Sequence, residues 1–118
     1  MRLIVLALLV LASSPVLGSS TMCMFEPPAG APVPTLEFLG YEQPAGILIQ
    51  GKKGPRSLPG RSYKFVDLDQ RAERIHLIYT NPGDPTLPPS FTLKGQDRHT
   101  RLVVRGQTYT GELECGRW

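Results

Sequence analysis

The stretch 50–61 is the clearest candidate in this chain for binding chemistry. Four cations lie there among glycines and prolines: Lys52, Lys53, Arg56 and Arg61. Because glycine lets a backbone wrap closely around an anion, the stretch could hold a phosphate, a sulfated sugar or an acidic surface of a partner. A solvated hairpin loop is the alternative, and the GxxxxGK[ST] spacing of a phosphate-binding loop is absent.

A second group of cations follows the two-residue alternation of a predicted strand. Residues 99–105 place apolar side chains on one face and His99, Arg101 and Arg105 on the other. Such a stripe can dock on an acidic cleft and speed encounter at low salt. It can equally protect an edge strand from unwanted pairing, so both interpretations stay open.

No spacing of catalytic residue types predicts an enzyme. Asp97 and His99 resemble an acid–base pair, but no motif supplies a nucleophile beside them. The acidic cluster Asp67, Asp69 and Glu73 lacks the spacing of a calcium site and gives no sign of paired glycosidase carboxylates, so it predicts a polar turn. We therefore expect no catalytic residue, no metal and no cofactor, with a small hydrolase as the rival interpretation.

The chain has two cysteines, Cys23 and Cys115. A disulfide between them would close a loop of about ninety residues, which the chain-entropy model values at about 4–5 kcal/mol. Lipidation of Cys23 is one alternative, although the residue types at 20–22 do not match that processing signal. A zinc site with His76 and His99 is the other, although the close ligand pairs of zinc motifs are absent.

Residues 1–18 have the three parts of a signal peptide: a basic start at Arg2, the apolar run 3–12, and a stretch at 13–18 with small or compact residues, Val16 and Gly18, at the cleavage positions. The apolar run is too short to cross a bilayer, and no later stretch approaches the ~20 residues required. These features predict a secreted or periplasmic protein without a transmembrane anchor.

The formal net charge of +3 falls by one when Arg2 is removed with the signal peptide. This balance gives no reason to expect nucleic acid or membrane binding. The C-terminal Arg117–Trp118 could fold back over the end of a barrel or anchor a partner.

After the signal peptide, prolines at 27, 28, 32 and 34 mark residues 19–34 as an extended N-terminal arm. The arm could be a proline-rich ligand for an aromatic groove or a stiff lead-in to the first strand. Residues 35–118 form the predicted β domain.

Short apolar or alternating runs recur through that domain between glycine and proline turn signals, at 35–41, 45–50, 62–68, 73–80, 90–94, 100–105 and 108–115. The spacing predicts an all-β fold: a small antiparallel barrel or sandwich of about seven strands, closed by one disulfide. In the last run Leu113 and Cys115 should face the core, and the run 74–80 should be a central strand.

Residues 57–63 read Ser-Leu-Pro-Gly-Arg-Ser-Tyr. Their serine, glycine and tyrosine spacing resembles the inhibitory loop of secreted bacterial inhibitors of C-type lysozyme, and the length of the chain and the placement of its cysteines are similar to that family. The resemblance implies a small antiparallel barrel in which Ser57 and Tyr63 inhibit the enzyme and Gly60 shapes the loop. The tryptophan and lysine–glycine pattern that follows in that family is absent from residues 64–77.

Together these features predict an exported binding module, such as an envelope inhibitor or an immunity-type protein, that recognises the surface of another protein. The partner would present an acidic cleft, and residues 50–63 would form the binding edge. A structural envelope component without a soluble ligand is the alternative.

Overall fold

A computed structural model describes residues 20–51 and 53–116. The predicted signal peptide 1–18, Lys52 and the C-terminal pair Arg117–Trp118 lie outside the described residues. Nine strands are described, and two short 3₁₀ turns cover Gly60–Ser62 and Asp97–His99. The strands are β1 Ser20–Glu26, β2 Leu36–Tyr41, β3 Gln43–Gly51, β4 Gly54–Ser57, β5 Tyr63–Asp69, β6 Arg74–Tyr79, β7 Phe91–Gln96, β8 Thr100–Val104 and β9 Gln107–Cys115.

The strands form one curled antiparallel sheet in the order β4-β3-β2-β1-β9-β8-β7-β6-β5. The long strand β9 joins the two arms of the sheet, because residues 107–111 pair with β8 while residues 112–115 pair with β1. The change of partner falls at Gly111. A Cβ there would lie 2.9 Å from two carbons of the Phe25 ring, so the bend of the sheet brings these elements too close for a side chain.

The core lies inside the curl, where the alternate side chains of both arms meet. Phe38 on β2 packs edge-to-face on Phe65 of β5, with ring centroids 5.9 Å apart, and this contact joins the two arms. Ile75 and Leu77 on β6 are buried, and β6 lies between β5 and β7, as expected for a central strand. These features confirm the all-β, antiparallel prediction.

The Cys23–Cys115 disulfide is confirmed, and its two cysteines are 92 positions apart in sequence. The two cysteines are directly opposite each other where β1 pairs with β9. Because both sulfurs are used in this bond, the zinc and lipid alternatives for these residues are wrong. Among the described side chains, no group of three or more metal-ligating residues clusters.

The prediction of about seven strands is wrong, because the structure has nine in its described part. Strand β1 lies in the segment predicted as an arm, where pairing with β2 and β9 on both sides holds it in the sheet. Strand β4 lies in the predicted loop and forms one edge of the sheet, the position where a proline such as Pro55 is tolerated.

Strand β8 is not an edge strand, since it pairs with β7 on one side and β9 on the other. The interpretation of its cations as edge protection is therefore wrong. Within the described ranges, no helix has the length and hydropathy needed to cross a membrane.

Candidate binding groove

A groove of about 930 Å³ lies beside the hairpin formed by β3 and β4. Four separate segments of the chain line it: the arm around Pro32, the hairpin, the loop 85–89 and the turn at Arg105. Its most frequent lining residue is proline, at positions 32, 34, 55, 85, 88 and 89. We call this feature the proline groove.

Three described cations line the proline groove: Lys53, Arg56 and Arg105. The Arg56 guanidinium donates to the carbonyl oxygen of Thr86 at 3.2 Å and to its hydroxyl at 2.9 Å, and it lies 3.4 Å from a carboxylate oxygen of Asp84. Arg56 thus ties β4 to the loop on the far side of the groove. Lys53 and Arg105 form no ion pair with any described residue, so they give the groove an unbalanced positive charge.

Arg105 lies in the two-residue turn between β8 and β9, where its φ is 53° and that of Gly106 is 76°. Positive φ at both central residues is the backbone of the tight hairpin turn that favours Asn-Gly. A long side chain in this conformation costs about 1 kcal/mol. The turn therefore presents an arginine at a position where local stability favours asparagine or glycine.

The loop that forms the far wall of the groove is organised around Asn81. Its side-chain oxygen accepts from the backbone nitrogens of Gly83 at 2.6 Å and Asp84 at 2.8 Å. Its side-chain nitrogen donates to the carbonyl oxygens of Asp84 at 2.9 Å and Pro88 at 2.8 Å. The wall is thus fixed before any ligand binds, which lowers the entropy cost of binding.

Two ionisable groups support the same wall. The buried Tyr79 hydroxyl donates to the carbonyl oxygen of Pro88 at 2.9 Å, and burial raises its pKa. Hydrogen bonds from the side chain and backbone of Thr86 lower the pKa of Asp84, with a smaller contribution from Arg56. Asp84 is therefore anionic at neutral pH and balances Arg56, leaving the charges of Lys53 and Arg105 uncompensated.

Other residues of the predicted binding edge lie outside the groove lining. Ser57 is exposed at the end of the edge strand β4, and Gly60 and Arg61 are exposed in the 3₁₀ turn that leads to β5. Tyr63 is half-buried and packs edge-to-face on Phe65 at 5.7 Å, and burial raises its pKa. The predicted edge 50–63 is therefore split between the groove and the crossover from β4 to β5.

The predicted stripe of cations is divided as well. Arg105 reaches the groove, whereas Arg101 points outward on β8. His99 lies in the 3₁₀ turn before that strand, with Nδ1 3.9 Å from a carboxylate oxygen of Asp97 and its side chain 81% exposed. Both members of this predicted acid–base pair are therefore solvated surface groups.

The acidic cluster has structural partners at the turn between β5 and β6. Asp67 accepts from Arg74 at 2.6 Å, and this hydrogen bond lowers its pKa. Asp69 accepts from the backbone nitrogen of Ala72, and Glu73 accepts from that of Cys115 at 2.9 Å. These contacts hold the turn and attach it to the strand that carries the disulfide.

The groove prolines and Asn81 were not among the functional residues predicted from the sequence. The segment Asn-Pro-Gly-Asp-Pro-Thr-Leu-Pro-Pro-Ser at 81–90 combines turn-forming residue types with prolines that restrict the backbone. That composition could have indicated a structured loop, although not which segments lie opposite it.

Comparison of the chain with models of protein families, with curated proteins and with solved structures finds no match.

Proposed function

We propose that this protein is a small binding module that takes an acidic segment of a partner protein in the proline groove. The observation that carries the proposal is the pair of unbalanced cations, Lys53 and Arg105, on a groove whose walls are fixed by internal hydrogen bonds. A preformed site with unpaired positive charge favours a ligand that carries carboxylate groups.

The shape and composition of the groove support a polypeptide ligand. Proline has no backbone N–H and loses almost no side-chain entropy on binding, so the walls offer rigid apolar surface to an extended chain. The buried residues Ile49 and Leu87 also line the groove and extend this apolar surface. The volume of about 930 Å³ lies in the range of sites that enclose a ligand of several residues or of drug size.

The proposal includes export from the cytoplasm. The disulfide is compatible with an oxidising compartment, and the signal-peptide pattern of residues 1–18 supports the same location. An exported module of this kind would act as an envelope inhibitor or immunity-type protein. The local resemblance of residues 57–63 to inhibitors of C-type lysozyme makes a wall hydrolase the first partner to test.

The groove is tested with a labelled hexaglutamate peptide, whose binding to the oxidised protein is followed by fluorescence anisotropy. We expect saturable binding that weakens as salt rises, because the two groove cations are exposed to solvent. Combining Lys53→Glu with Arg105→Glu should weaken binding by about tenfold. Combining Arg71→Glu with Arg98→Glu is the matched control, since it changes the net charge equally at exposed positions outside the groove. Equal loss in both double variants would overturn the groove assignment.

The inhibitor version is tested separately by adding the protein to a C-type lysozyme and measuring wall hydrolysis. Inhibition that is lost in Ser57→Ala and Tyr63→Phe would support the role implied by the resemblance. Inhibition that depends on Lys53 and Arg105 instead would assign it to the groove. An absence of inhibition at equimolar protein would remove this enzyme class and leave the peptide test unaffected.

The rival functions predict different results. A small hydrolase that uses Asp97 and His99 should lose turnover with His99→Ala, and a metal-dependent one should lose it with a chelator, whereas a binding module should keep its affinity in both cases. A structural envelope component should co-purify with a large assembly and should not bind the acidic peptide.

A further inference from the structure

The arm formed by β5–β8 has a surface that faces away from the core. Where every second side chain on these strands is buried, the others form rows that run across the strands. One row is Lys64, Ile78, Thr92 and Val103, and the next is His76, Lys94 and Arg101. We call this surface the outer face, and none of these residues lines the proline groove.

The second row brings like charges together. Lys94 lies directly opposite Arg101 on β8, and on its other side it lies opposite His76 on β6. Neither Lys94 nor Arg101 forms an ion pair within residues 20–51 and 53–116. Asp67 ends this row, but its carboxylate is already bound by Arg74. Because directly opposed like charges destabilise a sheet, the pair Lys94 and Arg101 works against stability, and an anion bound between them would relieve this repulsion.

The first row adds apolar surface beside these charges. Ile78 is 41% exposed and Val103 is 42% exposed, and Thr92 lies between them in the register. Two strand spacings separate the aliphatic side chains by about 9–10 Å. Lys64, opposite Ile78, continues the positive charge along the edge of the row. The outer face therefore combines an apolar centre with a cationic border.

We infer that the outer face is a second binding surface, for a protein surface that carries carboxylates beside aliphatic side chains. An apolar centre with a polar border is the composition of a protein–protein interface. A polyanion such as a sulfated glycan would bury Ile78 and Val103 against charged groups and gain nothing from them. The face lies on the convex side of the curled sheet and is formed by paired strands, so it presents its side chains to a partner surface, whereas the groove takes an extended segment.

This surface is tested by titration calorimetry on the variant that combines Lys53→Glu with Arg105→Glu, in which the groove is weakened, with two probes: poly-L-glutamate and a glutamate–leucine copolymer of equal charge. The copolymer should bind about fivefold more tightly, because only its leucines can bury the two aliphatic side chains. Replacing them, Ile78→Thr with Val103→Thr, should reduce the affinity of the copolymer to that of poly-L-glutamate. Equal affinity of the two probes for the groove-weakened variant would overturn the apolar part of the proposal.

Lys94→Glu separates binding from folding. The new carboxylate would face Arg101 across the strands, so the urea midpoint should rise while affinity for the copolymer falls about tenfold. Arg98→Glu, the control, makes the same charge change at an exposed site off the outer face. Loss of affinity in the control to the same extent would overturn the proposal. Tighter binding of a heparin fragment or of phosphatidylglycerol vesicles, sensitive to Lys94→Glu, would overturn the assignment to a protein partner.

Discussion

Replacing Arg105 by asparagine should make the protein more stable and a weaker binder at the same time. The residue lies in the β8–β9 turn with a φ of 53°, followed by Gly106 with a φ of 76°. Arg105→Asn would create the Asn-Gly sequence that this backbone favours and would remove one of the two unbalanced cations of the groove.

The magnitudes of the gain in stability and of the loss in affinity follow from the structure. Left-handed backbone costs an ordinary L-residue about 1–2 kcal/mol, and asparagine adopts it more readily, so the variant should gain about 1 kcal/mol in unfolding free energy. Arg105 makes no ion pair or hydrogen bond with a described side chain that would be lost. An exposed charge contributes about 1 kcal/mol to binding a carboxylate, which corresponds to an affinity loss of about fivefold.

Two measurements on one protein preparation test this prediction. Urea unfolding, monitored by far-ultraviolet circular dichroism, gives the stability, and fluorescence anisotropy of the labelled hexaglutamate peptide gives the affinity. Glu42→Asn is the control for the backbone effect, because Glu42 is exposed in the β2–β3 turn with a φ of 73° and lies outside the groove. It should gain similar stability and keep the affinity of the original protein. Lower stability of Arg105→Asn would refute the strain argument, and unchanged affinity would refute the place of Arg105 in the site.

Three further predictions concern the fold and the groove wall. Replacing Cys23 and Cys115 by alanine should lower the unfolding free energy by about 4–5 kcal/mol, because the disulfide joins positions 92 apart in sequence. Denaturation with and without reductant checks this, and a loss that reductant does not reproduce would contradict it. Gly111→Ala should cost about 1–3 kcal/mol through its clash with the Phe25 ring, measured by urea unfolding, and a neutral result would show that the strand can shift freely there. The lowered pKa of Asp84 should give stability that is present above the ordinary aspartate pKa of about 3.9 and is lost as pH falls through the lowered value. The difference in unfolding free energy between the original protein and Asp84→Asn should therefore shrink on acidification. A difference that stays constant with pH would contradict this prediction.

The alternation of apolar residues predicted the strands whose inward side chains strictly repeat every second position. In β6, for example, Ile75, Leu77 and Tyr79 are buried in turn, which is the pattern that the sequence displays. The disulfide was predictable because two cysteines in a chain that begins with a signal-peptide pattern most simply pair with each other, and the structure confirms this pairing.

Strands β1 and β4 could not be predicted in this way. In β1 the register shifts between Thr21 and Cys23, so that Met22 and Cys23 are both buried and the alternation is broken. Strand β4 reads Gly-Pro-Arg-Ser and has no alternation of apolar and polar residues to reveal it. Both belong to the sheet because of their partner strands, which local sequence does not identify.

The candidate site was predictable only in part. Lys53, Arg56 and Arg105 were identified as cations, but their meeting in one groove depends on the curl of the sheet, which brings together segments around residues 32, 55, 87 and 105. The hydrogen bonds that Arg56 donates to Thr86 depend on the loop that Asn81 organises. Such contacts between distant segments leave no periodic signal in the sequence.

The central claim is that the proline groove binds an acidic polypeptide segment, and a titration followed by nuclear magnetic resonance tests it most directly. Hexaglutamate is added to the oxidised, isotope-labelled protein, and the backbone amide shifts are mapped onto the fold. We predict saturable shifts that cluster at Lys53, Thr86 and Arg105 and that need about tenfold more peptide when Lys53→Glu is combined with Arg105→Glu. Shifts confined to other surfaces, or no saturable shifts at millimolar peptide, would contradict the account.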